Sequence, residues 1–317
     1  MDTSVSYAPP PIPEHELLRM IGRGSGGEVW LARNALGKFR AVKLVRGRVF
    51  RGERPFQLEL NGVLKFEPLS RLHDGLVDIL QVGGSQAAGY FYYVMEVADD
   101  IVLGQTITPE HYCPRTLEYE LKRRGRLPIA ECVRIGAGIA SALGFMHQHE
   151  LLHRDIKPSN IIFVNGYPKL ADIGLVSTMS EAGSQMGTEG FIAPEGTGMV
   201  RADIYSLGKL LYEMSTGKDR QEYPELPEDL GNSREDRDLV QFNKIVLKAC
   251  RAKPWQRYQS AEELLKALLA FQFFKYDPRQ KAGRFLAKVA TRGGLAVAVA
   301  VFAVLVWRIV QLLTHGQ

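Results

Sequence analysis

Asp155, Lys157 and Asn160 stand together in the run HRDIKPSN, residues 153–160, directly after Arg154. A surface loop has no need of an acid set between two cations and closed by an amide. A site that deprotonates an alcohol beside a polyphosphate does. The carboxylate can take the proton of an incoming hydroxyl, and the Lys157 ammonium can neutralise charge on the transferred group. The amide oxygen of Asn160 is a hard ligand of the kind Mg²⁺ prefers. Beyond it, Asp172 precedes Gly174 in ADIG and offers a second hard oxygen. Arg154 has no step in this chemistry, and an unpaired guanidinium beside the base would compete for its charge.

A second constellation lies nearer the N-terminus. IGRGSGGEVWLA places glycines at 22, 24 and 27, with Val29 following. Glycine lets a backbone approach phosphate oxygens closely and aim N–H groups at them. A dinucleotide-binding turn shows the same spacing, but it needs a helix straight after the third glycine. Here EVWLARN and FRAVKLV follow, and both read as strands, so the loop is a flap over phosphates. Lys43 lies between Val42 and Leu44 on the second of these strands. An unpaired buried ammonium is costly, so Lys43 needs a partner. Glu59, on the helical run PFQLELNGVL, is the preferred one over Glu53 and Glu67.

The elements that must hold these residues fall into two stretches. Residues 14–98 contain HELLRMIG, EVWLAR, FRAVKLV, LVDILQVG and YFYYVMEV, short apolar or alternating runs that read as strands. PFQLELNGVLKFEPL is their helical exception. From about 115 the apolar period becomes helical, in TLEYELKRRG, IAECVRIGAGIASALGFMHQHE and DIYSLGKLLYEMSTG. SAEELLKALLAF opens on Ser260 with an acid three residues later, a capping-box signal. Residues 217–238 are polar and charge-mixed and read mainly as solvated loop, with a docking surface as the lesser option. The three cysteines, Cys113, Cys132 and Cys250, lack metal-type spacing and read as reduced thiols. No apolar stretch follows a basic start, so no signal peptide is expected, and residues 8–13 read as an extended arm.

The set GRGSGGEV, AVK, HRDIKPSN, DIG, GTEGFIAPE and DIYSLG resembles the eukaryotic-type serine/threonine protein kinase family, in its bacterial membrane-anchored form. The likeness covers about residues 14–274. It implies an α+β, bilobal kinase fold, with a β-rich N-lobe over about 14–98, a helical C-lobe over about 99–274 and ATP in the cleft. It further implies that Gly22, Gly24 and Gly27 cover the phosphates, with Ile21 at the start of the flap. Lys43 would contact phosphate and pair with Glu59. Asp155 would be the base, and Asn160 and Asp172 would hold Mg²⁺. Met95 would be the gatekeeper of a hinge at VMEVA, with the backbone of Glu96 and Ala98 on adenine. Val29, Ala41 and Ile162 would sandwich the ring. Glu195 with Arg257 would form a structural ion pair, and Asp203 would brace the catalytic loop. The partners implied are protein substrates, with autophosphorylation on Ser180 or Ser184 answering to Arg154, or else a Glu181–Arg154 pair. Thr188 would dock against Asp155 and Lys157. Two other readings share these motifs: a nucleotide-binding pseudokinase acting as scaffold, and a small-molecule phosphotransferase. GTEGFIAPE argues against the latter, because it resembles a peptide-docking platform. Two departures stand out. Ile173 replaces the usual aromatic of the DFG motif, and residues 99–116 form an unusually long link from hinge to helix.

The net charge of +5 is local rather than general. Lys275, Arg279, Lys281, Arg284, Lys288 and Arg292 form a basic segment over 275–292, and the chain before it is about neutral. This argues against nucleic acid as a partner. The run GGLAVAVAVFAVLVWRIVQLL, residues 293–313, would span about 31 Å as a helix, close to the hydrocarbon thickness. Basic residues before it match the positive-inside rule. The expectation is one transmembrane helix embedded in membrane lipid, with the kinase domain cytoplasmic, at a bacterial inner membrane. Gly294 with Ala298, and Ala296 with Ala300, would allow a homodimer through that helix.

Overall fold

The computed structural model describes residues 8–24, 27–47, 53–85, 87–178 and 187–276. The chain divides into two compact units, Met1–Leu268 and Leu269–Gln317. The second is described only over 269–276, so the basic segment and the apolar run at 293–313 lie outside the described residues. So do Ser180, Glu181 and Ser184.

The first unit opens with strands β1 (His15–Gly24), β2 (Gly27–Asn34) and β3 (Phe39–Arg46), then helix α1 (Glu53–Ser70), then β4 (Ile79–Ser85) and β5 (Tyr90–Met95). The strands form one antiparallel sheet in the order β1-β2-β3-β5-β4. Side chains alternate across a strand, and that alternation sorts the sheet's two faces. Val42 and Leu44 join Ile12, Ala32, Tyr92 and Val94 in a core on one side. Lys43 therefore faces the other side. Register sets it opposite Val29 on β2 and Tyr93 on β5, and sets Ala41 opposite Met95. One sheet face thus carries the lysine and the apolar residues expected around a nucleotide. The sequence reading started α1 at Pro55, but the helix begins at Glu53 and carries Pro68 inside its last turn.

Helices dominate thereafter: α2 (Leu117–Arg124), α3 (Ile129–Gln148), α4 (Val200–Thr216), α5 (Arg234–Ala249) and α6 (Ala261–Tyr276). Two short strand pairings interrupt them, built from β6 (Leu151–Leu152), β7 (Ile161–Val164), β8 (Tyr167–Leu170) and β9 (Ser177–Thr178), with β6 pairing β9 and β7 pairing β8. Leu76 makes a single bridge to Leu170, which ties the sheet-rich part to the second. α4 is buried on nearly every side, including Asp203, Ser206 and Lys209, as expected for a helix at the centre of a core. α3 is the one helix among the described residues long and apolar enough to cross a membrane. Val133, Ile135, Ile139, Ala140 and Leu143 are buried within this unit, which accounts for its composition. All three cysteines are free.

One stretch differs from its sequence reading. Residues 217–238 are not plain solvated loop. Arg220–Glu222 forms a 3₁₀ turn capped by Asp219, and α5 begins at Arg234 behind a Ser233–Asp236 capping box. That capping box was a readable signal, with Leu239, Phe242 and Val246 following at helical spacing. The long link 99–116, for which the sequence offered no role, is held by hydrogen bonds at several points. The Asp100 carboxylate accepts from the backbone N–H groups of Val102, Leu103 and Cys113. Asp99 accepts from Asn165 and Gly166 in the β7–β8 turn. Arg19 on β1 donates to the carbonyls of Pro109 and Tyr112, and the Tyr112 hydroxyl donates to the Ala98 carbonyl at 3.0 Å. The segment folds back beside the hinge and fastens β1 to it.

Candidate active site

The loop between β6 and β7 carries residues 153–160, and a single buried acid holds its shape. Asp203, in the first turn of α4, is 1% exposed. Its carboxylate accepts from the backbone N–H of His153 at 3.0 Å and of Arg154 at 2.9 Å. His147 lies 2.9 Å from the same group. Burial would raise the Asp203 pKa, but the His147 contact and these backbone donors hold it below its usual value. The arrangement forces Arg154 to φ 69°, a region that few non-glycine residues enter without compensation. His153 finishes the brace as a neutral ring. Its Nε2 donates to the Ala171 carbonyl and its Nδ1 accepts from the Asp155 N–H. A carbonyl can only accept and an amide N–H only donate, which settles the tautomer. Burial, the main influence, lowers the His153 pKa.

On this frame the Asp155 carboxylate is surrounded by donors. One oxygen accepts from the Asn160 amide at 2.9 Å and the Lys157 ammonium at 2.8 Å. The other accepts from the Thr188 hydroxyl at 2.7 Å. Lys157 also donates to the Thr188 oxygen at 2.9 Å. Thr188 is thus where the sequence reading expected it, against both residues. The Asn160 amide nitrogen also donates to the Asp155 carbonyl at 2.8 Å. Both its hydrogens are therefore engaged with Asp155, which leaves the amide oxygen as the group to face a cation.

Lys43, Glu59 and Asp172 meet above this loop. The Lys43 ammonium lies 2.6 Å from Asp172 and 3.5 Å from Glu59. Burial works against the Lys43 charge, but Asp172 above all, with Tyr93 and Glu59, raises its pKa well above the usual value. Glu59 moves up to about 7, because burial outweighs the nearby ammonium. Burial also acts to raise Asp172, yet the Lys43 charge and hydrogen bond hold it down to about 2. Asp172 itself sits at φ 56° and caps a 3₁₀ turn, Ile173–Leu175, that packs on α1. Gly174 leaves room for that pair: a Cβ at that position would stand 2.7 Å from the Glu59 carboxylate and 3.0 Å from the Lys43 ammonium, so a side chain there would push them aside. Ile173 is 1% exposed, so the aliphatic replacement is packed inward.

The remaining expected residues lie on the glycine hairpin, the Lys43 face of the sheet, the segment after β5, and β7. Ile21 sits at an irregularity of β1, beside the Gly22–Val29 pairing. Gly24 and Gly27 pair across the tip of the hairpin. Ile162 bridges Thr116 and is partly exposed, as are Val29 and Met95. Ala98 is buried in the hinge. Glu96 shows a contact the sequence reading did not contain. Its side chain turns away to accept from Lys169 at 2.5 Å and from the Asp78 N–H at 2.9 Å. Arg154 donates to the Thr197 hydroxyl at 3.3 Å and the Ser177 hydroxyl at 3.2 Å, while the partners expected for it, Ser180, Ser184 and Glu181, lie outside the described residues. Neither contact follows from local spacing, since both partners lie on later segments. Glu195 and Arg257, by contrast, form the expected ion pair at 2.5 Å.

Chemically, the arrangement joins a hydroxyl-facing carboxylate, two ammonium groups and two oxygen donors at one opening. That donor set fits Mg²⁺, which takes few protein oxygens and shares the rest of its shell with phosphate and water. The protein kinase domain family matches residues 15–286. Relatives include a probable serine/threonine-protein kinase of Clostridium perfringens, 30% identical over 83% of this chain and 38% of its own length. The serine/threonine-protein kinase PknB of Mycolicibacterium smegmatis is 29% identical over 80% of this chain and 42% of its own. PrkC of Bacillus subtilis, also a serine/threonine-protein kinase, is 27% identical over 79% and 39%. The chain therefore spans about two fifths of the length of the curated relatives it matches.

Proposed function

The chain belongs to the protein kinase family, and we propose that it phosphorylates serine and threonine hydroxyls of proteins, its own included, at the expense of ATP. One observation carries the reading. The Thr188 hydroxyl donates to the Asp155 carboxylate at 2.7 Å and itself accepts from the Lys157 ammonium at 2.9 Å. A hydroxyl already occupies the position from which an acceptor alcohol would hand over its proton, within the reach that general-base catalysis requires.

Each residue then has a task. Asp155 receives the acceptor proton, and Asn160 and Lys157 hold its carboxylate in place. Lys43 turns from Asp172 toward the α and β phosphates, kept in position by Glu59. The hairpin with Gly22, Gly24 and Gly27 covers the phosphates, and Val29, Ala41, Met95 and Ile162 enclose the base, with Ile21 at its edge. The backbone of Glu96 and Ala98 orients adenine. Asn160 and Asp172 would hold Mg²⁺, which when bound neutralises phosphate charge. The sequence of 275–313 supports a membrane tether: a basic stripe against anionic headgroups and one span at 293–313, with the kinase domain on the cytoplasmic side and self-association through the small residues of the span.

The test uses Mg·ATP and a mixed protein substrate. Asp155→Asn is expected to lose about 10²-fold or more in phosphoryl transfer while its ATP affinity changes by no more than about threefold. Lys43→Met is expected to weaken ATP binding. If Asp155→Asn loses ATP affinity as badly as Lys43→Met, the roles are wrongly assigned. If label enters no protein, the substrate class is wrong.

A further inference from the structure

We propose that Arg220 is a positioning residue for the protein substrate: it latches the platform 187–191 to α4, and so sets where Thr188 meets Asp155. The proposal rests on the kinase reading above.

The platform runs from Gly187 to Phe191 and contains Thr188. Arg220 stands outside it in sequence, in the 3₁₀ turn after α4, yet reaches it by two routes. Its Nε donates to the Glu189 carbonyl at 2.9 Å, and its guanidinium lies over the Phe191 ring, 4.9 Å from the centroid. The same guanidinium turns back to α4, where Nη1 donates to the Glu213 carboxylate at 3.2 Å. Nη1 also lies 3.4 Å from Asp219. The base of the latch is fixed as well. The Arg220 N–H donates to Glu213 at 3.1 Å, and the Arg220 carbonyl accepts from the Lys209 ammonium at 2.6 Å. Lys209 is itself a buried residue of α4, lying over the Tyr223 ring at 4.5 Å.

Backbone geometry shows that the platform is shaped around this side chain. Gly190 adopts φ +83°, and a Cβ there would come within 2.8 Å of the Arg220 Nε and 2.9 Å of its methylenes. Only glycine gives both that conformation and that passage. A lysine could not replace the arginine. The planar fork reaches a carbonyl and a carboxylate and stacks on a ring at once, whereas an ammonium is a single point of charge.

The position of the latch tells which step it serves. Arg220, Glu213, Lys218, Phe191, Thr188 and Lys157 line one open groove of about 570 Å³. That groove runs from the Asp155 loop outward between α2 and the C-terminal end of α4, where a peptide carrying the acceptor hydroxyl would lie. Thr188 is the residue before Glu189, so slack at 189–191 moves Thr188 away from Asp155 and Lys157. Lys43, Glu59 and the hinge take no part in these contacts. Ser206 still holds the Phe191 carbonyl at 2.8 Å, so losing Arg220 loosens the platform without releasing it.

The experiment is steady-state kinetics of the full chain with Mg·ATP and myelin basic protein, on wild type, Arg220→Ala and Arg220→Lys. For Arg220→Ala the KM for protein is expected to rise about tenfold, equivalent to about 1.4 kcal/mol. The KM for ATP and kcat should stay within about threefold, the split expected of lost substrate positioning. Arg220→Lys, which keeps the charge beside Glu213 and is the fallback should the alanine variant not fold, should retain most of the KM defect. An active wild type with an unchanged protein KM in Arg220→Ala overturns the latch alone. So does a lysine variant equal to wild type, or an alanine variant in which kcat and both KM values worsen together, the mark of a merely structural role. No transfer by wild type removes the kinase reading, and the latch with it.

Discussion

Arg257 offers the sharpest test of how the second part of the fold is held together. Its side chain is 0% exposed and uses all five of its N–H donors. Nη1 and Nη2 fork onto the two oxygens of Glu195 at 2.5 and 2.7 Å. The remaining bonds go to the carbonyls of Arg201, Ala252 and Arg251 at 2.9, 3.0 and 2.6 Å. The guanidinium also lies over the Tyr205 ring at 4.9 Å. One side chain thus joins the segment after the platform, the start of α4 and the turn after α5. Arg257→Ala strands a carboxylate that is 19% exposed together with three carbonyls. Breaking one side of a buried pair costs about 3–5 kcal/mol. For a domain of this size each kcal/mol lowers Tm by about 2–4 °C. The expected fall is therefore about 10 °C, read by differential scanning calorimetry. Arg257→Lys should recover only part of it, because three donors cannot serve five acceptors. A fall of less than about 2 °C for the alanine variant would place the pair among ordinary surface bridges, worth about 0–1 kcal/mol, and would refute the reasoning.

Glu59 yields a pH prediction with a definite sign. Its pKa is raised from an ordinary 4.5 to about 7, so the folded protein retains a proton that the unfolded chain has released. The resulting stability is complete below about pH 4.5 and is lost as pH rises through about 7. Glu59→Gln removes the titration. Its unfolding free energy relative to wild type should rise between pH 5 and pH 8, by an amount on the order of 3 kcal/mol at most, and a difference that does not change with pH would contradict the assignment. Deleting residues 289–317 should release the protein from the membrane fraction and leave phosphoryl transfer intact; a deletion product still found with membranes would count against a span at 293–313.

Much of the site was legible because its members are close in sequence. Asp155, Lys157 and Asn160 share one loop, and Asp172 lies just beyond the β7–β8 hairpin, so chemistry could be argued from residue types and spacing. The glycine hairpin, the strand with Lys43 and the helix with Glu59 were legible from period alone. The faces came from the folded sheet, where the alternation that buries Val42 and Leu44 turns Lys43 the other way. The miss over residues 217–238 was of a different kind. Charged residues at high density resemble solvent-facing loop until their partners are known, and the Ser233–Asp236 capping box went unused.

Choices among distant partners belong to the tertiary structure. Arg154 finds the hydroxyls of Thr197 and Ser177, Arg19 finds the carbonyls of the 99–116 link, and Arg220 finds Glu189, Phe191 and Glu213. Each is a long cation whose reach takes in many acceptors in the unfolded chain. Spacing along the sequence carries no information about which one burial will leave nearby. The sequence by itself determined which groups could carry out proton and phosphoryl chemistry, because that depends on functional groups and local backbone. Only the folded packing decided which distant acceptors those long cations reach and how strongly each buried charge is held. Those energies depend on distance and desolvation, and both are created by the packing of α1 and α4 against segments far away in the chain.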